Sequence, residues 1–217
     1  MSKTGFSQPM FSIYNFSNGV VSHTGGGNVG YGVSSNPQIN ATADNNLYGD
    51  NQIVASDRKF ISGTLTLGTT GLSQVVSAAM LGAKLQNLPA NIPGITDANV
   101  KELIYDDDMN TPYLSYGEIY EEHVDNIDPE LRKSFYRAVV FPKVMFNIPS
   151  DQVQTRAGEI VWQTSEITGT IMRDDTAKHE WKRESEFSTE EQAAAYIRYM
   201  LGITTATPEN GDEEGGT

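Results

Sequence analysis

The sequence predicts a mostly β domain that carries two short helices, one flanking the strands and one near the C-terminus. Residues 60–67 and 135–140 alternate apolar and polar side chains with the period of two that a half-buried strand has. Only residues 72–82 and 188–202 combine the three-to-four-residue apolar spacing of an amphipathic helix with terminal capping signals. No alternation of strand and helix repeats along the chain, which argues against a doubly wound parallel sheet.

Composition limits the classes of function. The chain has 217 residues, no cysteine and a formal net charge of −13, so we expect a single domain over residues 1–201 and a disordered acidic tail over residues 202–217. The absence of cysteine excludes disulfides and thiolate metal sites and favours a reducing compartment. No apolar run is long enough to predict a membrane helix, and no signal peptide is predicted. The negative charge argues against tight binding of nucleic acid.

The first sixty residues are rich in glycine, asparagine and serine. Residues 10–16 alternate and predict a short strand, residues 17–37 predict turns and a glycine-rich loop, and residues 37–43 predict a second strand. Residues 43–59 predict a long polar loop, because the segment is too long and too polar for a tight hairpin.

The stretch from Phe60 to Gly82 changes its period halfway. Ile61, Leu65 and Leu67 are expected on the buried face of a strand, and Thr64 and Thr66 on the opposite face. Beyond Gly71, a helix with one apolar stripe is predicted to cover the sheet and to end at Gly82. The stripe comprises Leu72, Val75, Val76, Ala79 and Met80.

The second half of the chain gives further strands. They are predicted over residues 112–123, 135–148, 160–172 and 178–187, with Pro142 at a bulge or an edge. Residues 97–103 predict a turn of helix. Ser188 and Glu191 fit a capping box at the start of the last helix, and Gly202 is placed to end it.

Two motifs suggest chemistry without their required context. Residues 25–30, GGGNVG, match a dinucleotide-binding pattern, but no helix is predicted after them, so we interpret them as a loop. Residues 106–110, DDDMN, begin like a calcium loop but lack the glycine and glutamate that complete it. A solvated acidic turn is the better interpretation.

No catalytic constellation emerges from the titratable residues. His23, His123 and His179 are far apart in sequence, and Glu121, Glu122 and His123 are adjacent, so they do not share a helix face as metal ligands would. Trp162 and Trp181 are expected to be core or interface anchors. We therefore predict that the chain is not an enzyme and needs neither cofactor nor metal.

Two blocks of the sequence carry a resemblance. Residues 48–84, from YGDNQIVASDRKF to LSQVVSAAMLGAK, and residues 135–172, with YRAVVFPKVMF followed by QTSEITGTI, resemble the phage major tail proteins of the phi13-like family. The blocks stand in the family's order within residues 30–84 and 135–172. The first thirty residues and a divergent insertion at about 85–134 match poorly.

The resemblance implies a β-sandwich or barrel tail-tube fold with a flanking helix. It implies hexameric rings that stack into the tube of a long non-contractile tail, in the virion, after assembly in the host cytoplasm. Partners would be further copies of the chain, the tape measure protein, the tail tip or initiator, and the terminator. DNA would pass through the lumen without specific binding, and no membrane is involved.

The same family arrangement suggests contact residues. An arm within residues 43–59 would bridge subunits or rings through Asn45, Leu47, Tyr48, Asp57 and Arg58. Thr64 and Thr66 would face the lumen or a neighbour. A β-sandwich module that binds a ligand or receptor is the alternative, with Tyr105, Tyr113, Tyr116 and Tyr120 as candidate exposed aromatics, and a secretion-type tube protein is another.

Overall fold

A computed structural model describes residues 2–43, 45–89, 92–97, 99–124, 133–149 and 164–203. Its helices are α1 (Gln74–Leu81) and α2 (Glu190–Met200). Its strands are β1 (Ser2–Ser17), β2 (Val20–Asn28), β3 (Gly32–Ala41), β4 (Asn45–Gly49), β5 (Gln52–Asp57), β6 (Phe60–Thr69), β7 (Lys84–Asn87), β8 (Lys101–Ile104), β9 (Leu114–Val124), β10 (Lys133–Phe146), β11 (Ser165–Met172) and β12 (Arg183–Phe187). The prediction of a mostly β fold with a flanking helix is confirmed.

Eight strands form one antiparallel sheet. Its order is β2-β1-β9-β10-β11-β6-β3, and β12 pairs with β10 beside this path. Strand β10 can hold three partners because it is long: β9 runs along one side, while β12 and β11 take the two halves of the other side. The register between β10 and β9 shifts between Phe141 and Val144, which confirms the bulge predicted at Pro142.

The sheet curls so that its ends approach each other. The Val29 amide, just after β2, donates to the Pro9 carbonyl at 2.8 Å, and the Phe6 ring of β1 lies against Gly32 of β3. A side chain at Gly32 would meet that ring at 2.2 Å, so the close approach requires glycine there. The inner face of the curled sheet therefore encloses a core.

Two apolar clusters lie on opposite faces of the sheet. The inner cluster contains Leu65, Leu67 and Met80, all fully buried, and Val76 packs against it. The predicted packing of helix α1 against the buried face of β6 is therefore confirmed. The outer cluster joins Ile119 of β9 and Val140 of β10 to Ile197 of α2. Alternation along β9 and β10 supplies both clusters, since successive side chains point to opposite faces.

Helix α1 has the predicted C-cap at Gly82, an N-cap at Ser73 that was not predicted, and a buried face that differs in part from the predicted one. The Ser73 hydroxyl accepts from the Val76 amide at 3.3 Å, and Gly82 ends the helix with φ of 75°. The buried side chains are Ser77, Met80 and Leu81, so the predicted stripe was wrong at Val75, which is 62% exposed. Ile61 was also expected to be buried and is 59% exposed, because it lies at the start of β6 beyond the core.

Helix α2 begins one residue later than its capping box predicts. The N-cap is Thr189, whose hydroxyl accepts from the Gln192 amide at 3.3 Å, and Ser188 lies outside the helix. The predicted end is confirmed, because Gly202 has φ of 63° immediately after the last turn.

The glycine-rich segment is β-structure, not the predicted loop. Residues 20–28 form edge strand β2, and Gly25, with φ of 52°, is the extra residue of a bulge opposite Ser12 and Ile13. Strand β3 follows, so the GGGNVG stretch joins two strands and has no helix after it. The glycines permit the bulge and the curl of the sheet. Their abundance resembles the composition of turns, which is why a loop was predicted here.

Part of the segment 85–134, which was predicted to be a divergent insertion, lies in the centre of the sheet. Strand β9 lies between β1 and β10 in the centre of the sheet. Residues 101–104, where a helical turn was predicted, form strand β8, which pairs with β7. Trp162, residues 160–163 of the predicted strand and residues 204–217 of the predicted tail lie outside the described residues.

Candidate assembly surface

Strands β3 and β6 continue outward as a two-stranded ribbon. The Thr42 amide donates to the Lys59 carbonyl at 2.8 Å, and beyond this link β4 pairs with β5 from Asn45↔Asp57 to Gly49↔Gln52. We call residues 42–59 the ribbon. The segment predicted as a long polar loop is thus a hairpin that extends an existing pair of sheet strands.

The turn of the ribbon explains how so polar a segment folds back. Asp50 and Asn51 are its two central residues, with φ of 50° and 64°. Two positive φ angles define a type I′ turn, whose twist matches that of the flanking strands and which favours Asn and Asp. This Asp-Asn pair was the sequence signal for the hairpin, but the surrounding Asn and Gly residues suggested a loop.

The ribbon exposes large apolar side chains. Leu47 is 63% exposed, Tyr48 66%, Ile53 55% and Val54 56%. Val54 is the extra residue of a bulge, because Tyr48 pairs with Ile53 while Leu47 pairs with Ala55. A two-stranded ribbon has marginal stability in water, and four exposed apolar side chains at its end are typical of a surface that another molecule covers.

The structure brings most of the sequence-predicted contact residues onto this ribbon. Leu47 and Tyr48 lie on β4, and Asn45 pairs in register with Asp57 of β5. Asp57 forms an exposed ion pair with Lys59 at 3.5 Å, and Arg58 follows β5 directly. Ile53 and Val54 on the returning strand were missed, although their apolar character in a polar segment was visible in the sequence.

Thr64 and Thr66 lie on β6, away from the ribbon. Both are on the face opposite Leu65 and Leu67, with Thr64 exposed and Thr66 half-buried. Their registered neighbours are Gln38 and Asn36 of β3, and Thr170 and Thr168 of β11. This gives the outer face of the sheet a polar strip at that point.

The aromatic candidates are divided by their burial. Tyr116 is fully buried in the inner cluster, and Tyr120 is half-buried against it, so neither is an exposed loop aromatic. Tyr105 and Tyr113 are 46% and 44% exposed. Trp181 stacks on Phe60 with ring centroids 4.5 Å apart, which agrees with its expected role as a packing anchor.

His23 contacts Ser115 in an arrangement unsuited to a nucleophile. The buried Ser115 hydroxyl donates to the Pro142 carbonyl at 2.6 Å, so His23 Nε2, at 2.9 Å, donates to the serine oxygen. A general base would have to accept the serine proton instead. Burial also lowers the pKa of His23.

A second serine–histidine contact lies at the end of β9 and β10. His123 Nδ1 is 2.6 Å from Ser134 Oγ, and its Nε2 is 3.7 Å from Glu121 Oε1. Ser134 and His123 are direct cross-strand partners, so strand register alone brings them together. Catalysis would also need donors aimed at a developing oxyanion, which this pairing does not supply.

Hydrogen bonds within the chain account for the conformation of the acidic turn at residues 106–110. Asp106 accepts from Lys84 Nζ at 2.6 Å, and the Met109 amide donates to the Asp106 carbonyl at 3.1 Å, while Asp107 and Asp108 are exposed. Within the described ranges, no group of three or more potential metal ligands converges. Neither described helix has the length and apolarity needed to cross a bilayer.

Compared with models of known protein families and with curated protein sequences, the chain gives no match. On physical grounds, the surface that stands out among the described residues is the ribbon.

Proposed function

We propose that this chain is a structural protein that assembles with copies of itself into stacked rings, as the tail tube of a phage with a long non-contractile tail does. The observation that carries the proposal is the apolar ribbon that projects from the sheet. It is ordered by backbone pairing, yet among the described residues its large apolar side chains stay more than half exposed. Contact with a second copy would remove them from water.

The size of the apolar surface makes self-association favourable. Burying one Leu, Ile or Val side chain completely contributes about 1.5–3 kcal/mol. The four side chains are between 55% and 66% exposed, so covering them would contribute on the order of 4–7 kcal/mol for each ribbon. Association also loses rotational and translational freedom. Each subunit of a ring would both donate and receive a ribbon, so these contributions would recur around the assembly.

The negative net charge of the chain supports a role as a conduit for DNA. A ring of six copies would carry six times the formal charge of −13. A surface of this sign repels phosphate, so DNA could pass a lumen without binding to it. In this arrangement the polar strip at Thr64 and Thr66 faces the lumen or a neighbouring subunit. The tape measure protein, the tail tip or initiator and the terminator would be the partners in a virion tail assembled in the host cytoplasm.

Electron microscopy of concentrated protein tests the proposal. We expect rings or tubes from the wild-type chain, and only monomers when Leu47, Tyr48, Ile53 and Val54 are replaced together by serine or threonine. The matched control replaces Val75 and Tyr199, which are 62% and 81% exposed on the two helices, by serine. Wild-type protein that stays monomeric at every salt concentration contradicts the proposal. Tubes formed by the ribbon variant contradict the assignment of the contact.

The alternative of a ligand-binding module is favoured by one observation, the exposure of Tyr105 and Tyr113. Binding of a glycan or receptor protein by the monomer, lost when both tyrosines are replaced by alanine, would support that function in place of assembly.

A further inference from the structure

The hairpin that joins β1 to β2 is a second projection from the sheet. Strand β1 pairs with β9 only as far as Ile13. Residues 15–22 lie beyond that point and, among the described strands, pair only with each other. We call residues 15–22 the tip. Phe16 is 41% exposed and Val20 is 64% exposed, so the tip, like the ribbon, presents large apolar side chains to water.

The tip is ordered before any partner binds. Its two turn residues, Asn18 and Gly19, have φ of 52° and 79°, the two positive angles of a type I′ turn. At its base, Tyr14 is buried and pairs in register with His23, whose Nε2 lies 2.9 Å from Ser115 Oγ of β9. Because the hairpin is already formed and anchored, a partner that binds it loses little free energy to ordering it.

The tip and the ribbon leave the sheet in opposite directions along its strands. Four antiparallel pairings, β1 with β9, β9 with β10, β10 with β11 and β11 with β6, connect β1 to β6, so these two strands run in the same direction. The tip continues β1 beyond its pairing with β9, whereas the ribbon precedes the first residue of β6. Each copy therefore carries one apolar projection at each strand end. A head-to-tail contact requires two such different surfaces on every copy.

The distribution of charge favours another copy of the chain as the partner. Residues 4–43, which include the tip, contain no Asp, Glu, Lys or Arg, although 20% of the chain is charged. Residues 45–56 of the ribbon contain one charged residue, Asp50. Two copies with a formal charge of −13 each repel one another, so contact through these two segments brings the least like charge together. A basic partner would select carboxylates, and an anionic membrane or a nucleic acid would select Lys and Arg.

We propose that the tip is the surface that receives the ribbon of a second copy, so that copies associate head to tail. The inference rests on the proposed self-assembly and names the other half of its contact. Apolar side chains of both projections, exposed in the single chain, leave water together in this contact. Every oligomer keeps a free tip on one terminal copy and a free ribbon on the other, so growth continues until the rotation between copies closes a ring.

Two variants that each lack one half of the contact test this inference. The tip variant, Phe16→Thr with Val20→Thr, keeps residues suited to strands and should lower the association constant by about 10–100-fold. The ribbon variant is the one defined above. In sedimentation velocity we expect each variant alone to be monomeric and an equal mixture to form a dimer and nothing larger, because one intact tip meets one intact ribbon. The matched control Val75→Thr, which changes an exposed valine of α1, should assemble as wild type.

A single added charge tests the tip without removing its apolar side chains. Asn18→Asp keeps the type I′ turn, which accepts Asp-Gly as well as Asn-Gly, and puts a negative charge into the uncharged segment. We expect it to weaken association by about 3–10-fold at low salt and by less at high salt. Asn87→Asp, at an exposed position of β7, adds the same charge elsewhere and should leave association unchanged. Equal effects of the two substitutions would contradict the inference.

The outcomes separate this inference from the proposed function. Rings or tubes formed by the tip variant would overturn the inference and leave the proposed function standing. A dimer in the mixture, with neither rings nor tubes from the wild type, would support the inference and contradict the stacked rings. Dimers of the ribbon variant alone would show that tips bind each other and would overturn the head-to-tail contact. A wild type and a mixture that both stay monomeric would contradict both proposals.

Discussion

Helix α2 packs on the sheet at a point where β9 has no side chain, and this makes a sharp test of the packing. An alanine at Gly117 would place its Cβ 2.5 Å from Ile197 Cγ2 and 3.4 Å from Ile197 Cγ1. Ordinary carbon–carbon contacts are about 3.5–4.0 Å, so the helix or the Ile197 side chain must move by roughly 1 Å. Overpacking of this kind costs about 1–3 kcal/mol.

The unfolded chain offsets part of this cost. Alanine restricts the unfolded chain more than glycine does, which stabilises the fold by about 0.4–1 kcal/mol where no strain arises. We therefore expect Gly117→Ala to lower the free energy of unfolding by about 1–2 kcal/mol. Ile197→Ala removes a fully buried side chain and should cost about 2–5 kcal/mol on its own.

The double variant tests whether residue 117 and Ile197 are in contact. Removing Ile197 Cγ2 removes the clash, and the new methyl group at residue 117 fills part of the cavity. The loss in Gly117→Ala with Ile197→Ala should thus fall short of the sum of the single losses by about 1–3 kcal/mol. Urea unfolding of the monomer measures all three variants. Additivity within about 0.5 kcal/mol would refute the contact, whereas additivity is expected for Gly117→Ala with Leu65→Ala, whose cluster lies on the other face.

Three further predictions test the ribbon, the core and the response to acid. Asn51→Val places a β-branched residue at φ of 64° and should abolish ribbon pairing, as seen in amide exchange of β4 and β5, while the unfolding free energy changes by less than about 0.5 kcal/mol. Leu65 is fully buried, so Leu65→Ala should lower the free energy of unfolding by about 2–5 kcal/mol in urea. Leu47 is 63% exposed, so Leu47→Ala should lower it by less than about 0.5 kcal/mol. Equal losses would contradict the core assignment. The Lys143 ammonium group donates to the Asp175 carboxylate at 2.7 Å and lowers the pKa of that carboxyl. The stabilisation from this pair is therefore present above the ordinary aspartate pKa of about 3.9 and is lost as pH falls through the lowered value. Lys143→Met should flatten the acid limb of a stability–pH curve, and an unchanged limb would refute the pairing.

The strands with clear alternation were predictable because one face of each is buried. Residues 60–67, 114–123 and 135–146 read as strands from their pattern alone, and Pro142 marked its own bulge. The ends of both helices were also readable, because Gly82 and Gly202 adopt positive φ, which few other residues tolerate. These are local properties, and local sequence determines them.

The predictions failed where long-range pairing decides the conformation. Residues 20–36 and 45–57 have the composition of turns and loops, yet they form β2, the first part of β3 and the ribbon, because neighbouring strands satisfy their backbone groups. The strand predicted over residues 37–43 overlaps the end of β3. Val75 and Ile61 fit their apolar patterns, but the rotation of α1 and the extent of the core leave both exposed. Of the candidate site residues, Leu47 and Tyr48 lie exposed on the ribbon, and their role as contact residues stays a prediction.

The sequence by itself determined the balance of strand over helix, the helix ends, the acidic charge and the apolar residues at 47, 48, 53 and 54. Only the tertiary structure decided that β3 and β6 continue into a projecting ribbon, that the sheet curls on itself, and that two apolar clusters lie on its opposite faces. Periodicity and turn chemistry depend on a few neighbouring residues, so the local sequence determines them. Strand order and the meeting of opposite sheet faces join residues far apart in sequence, so packing of the whole chain fixes them.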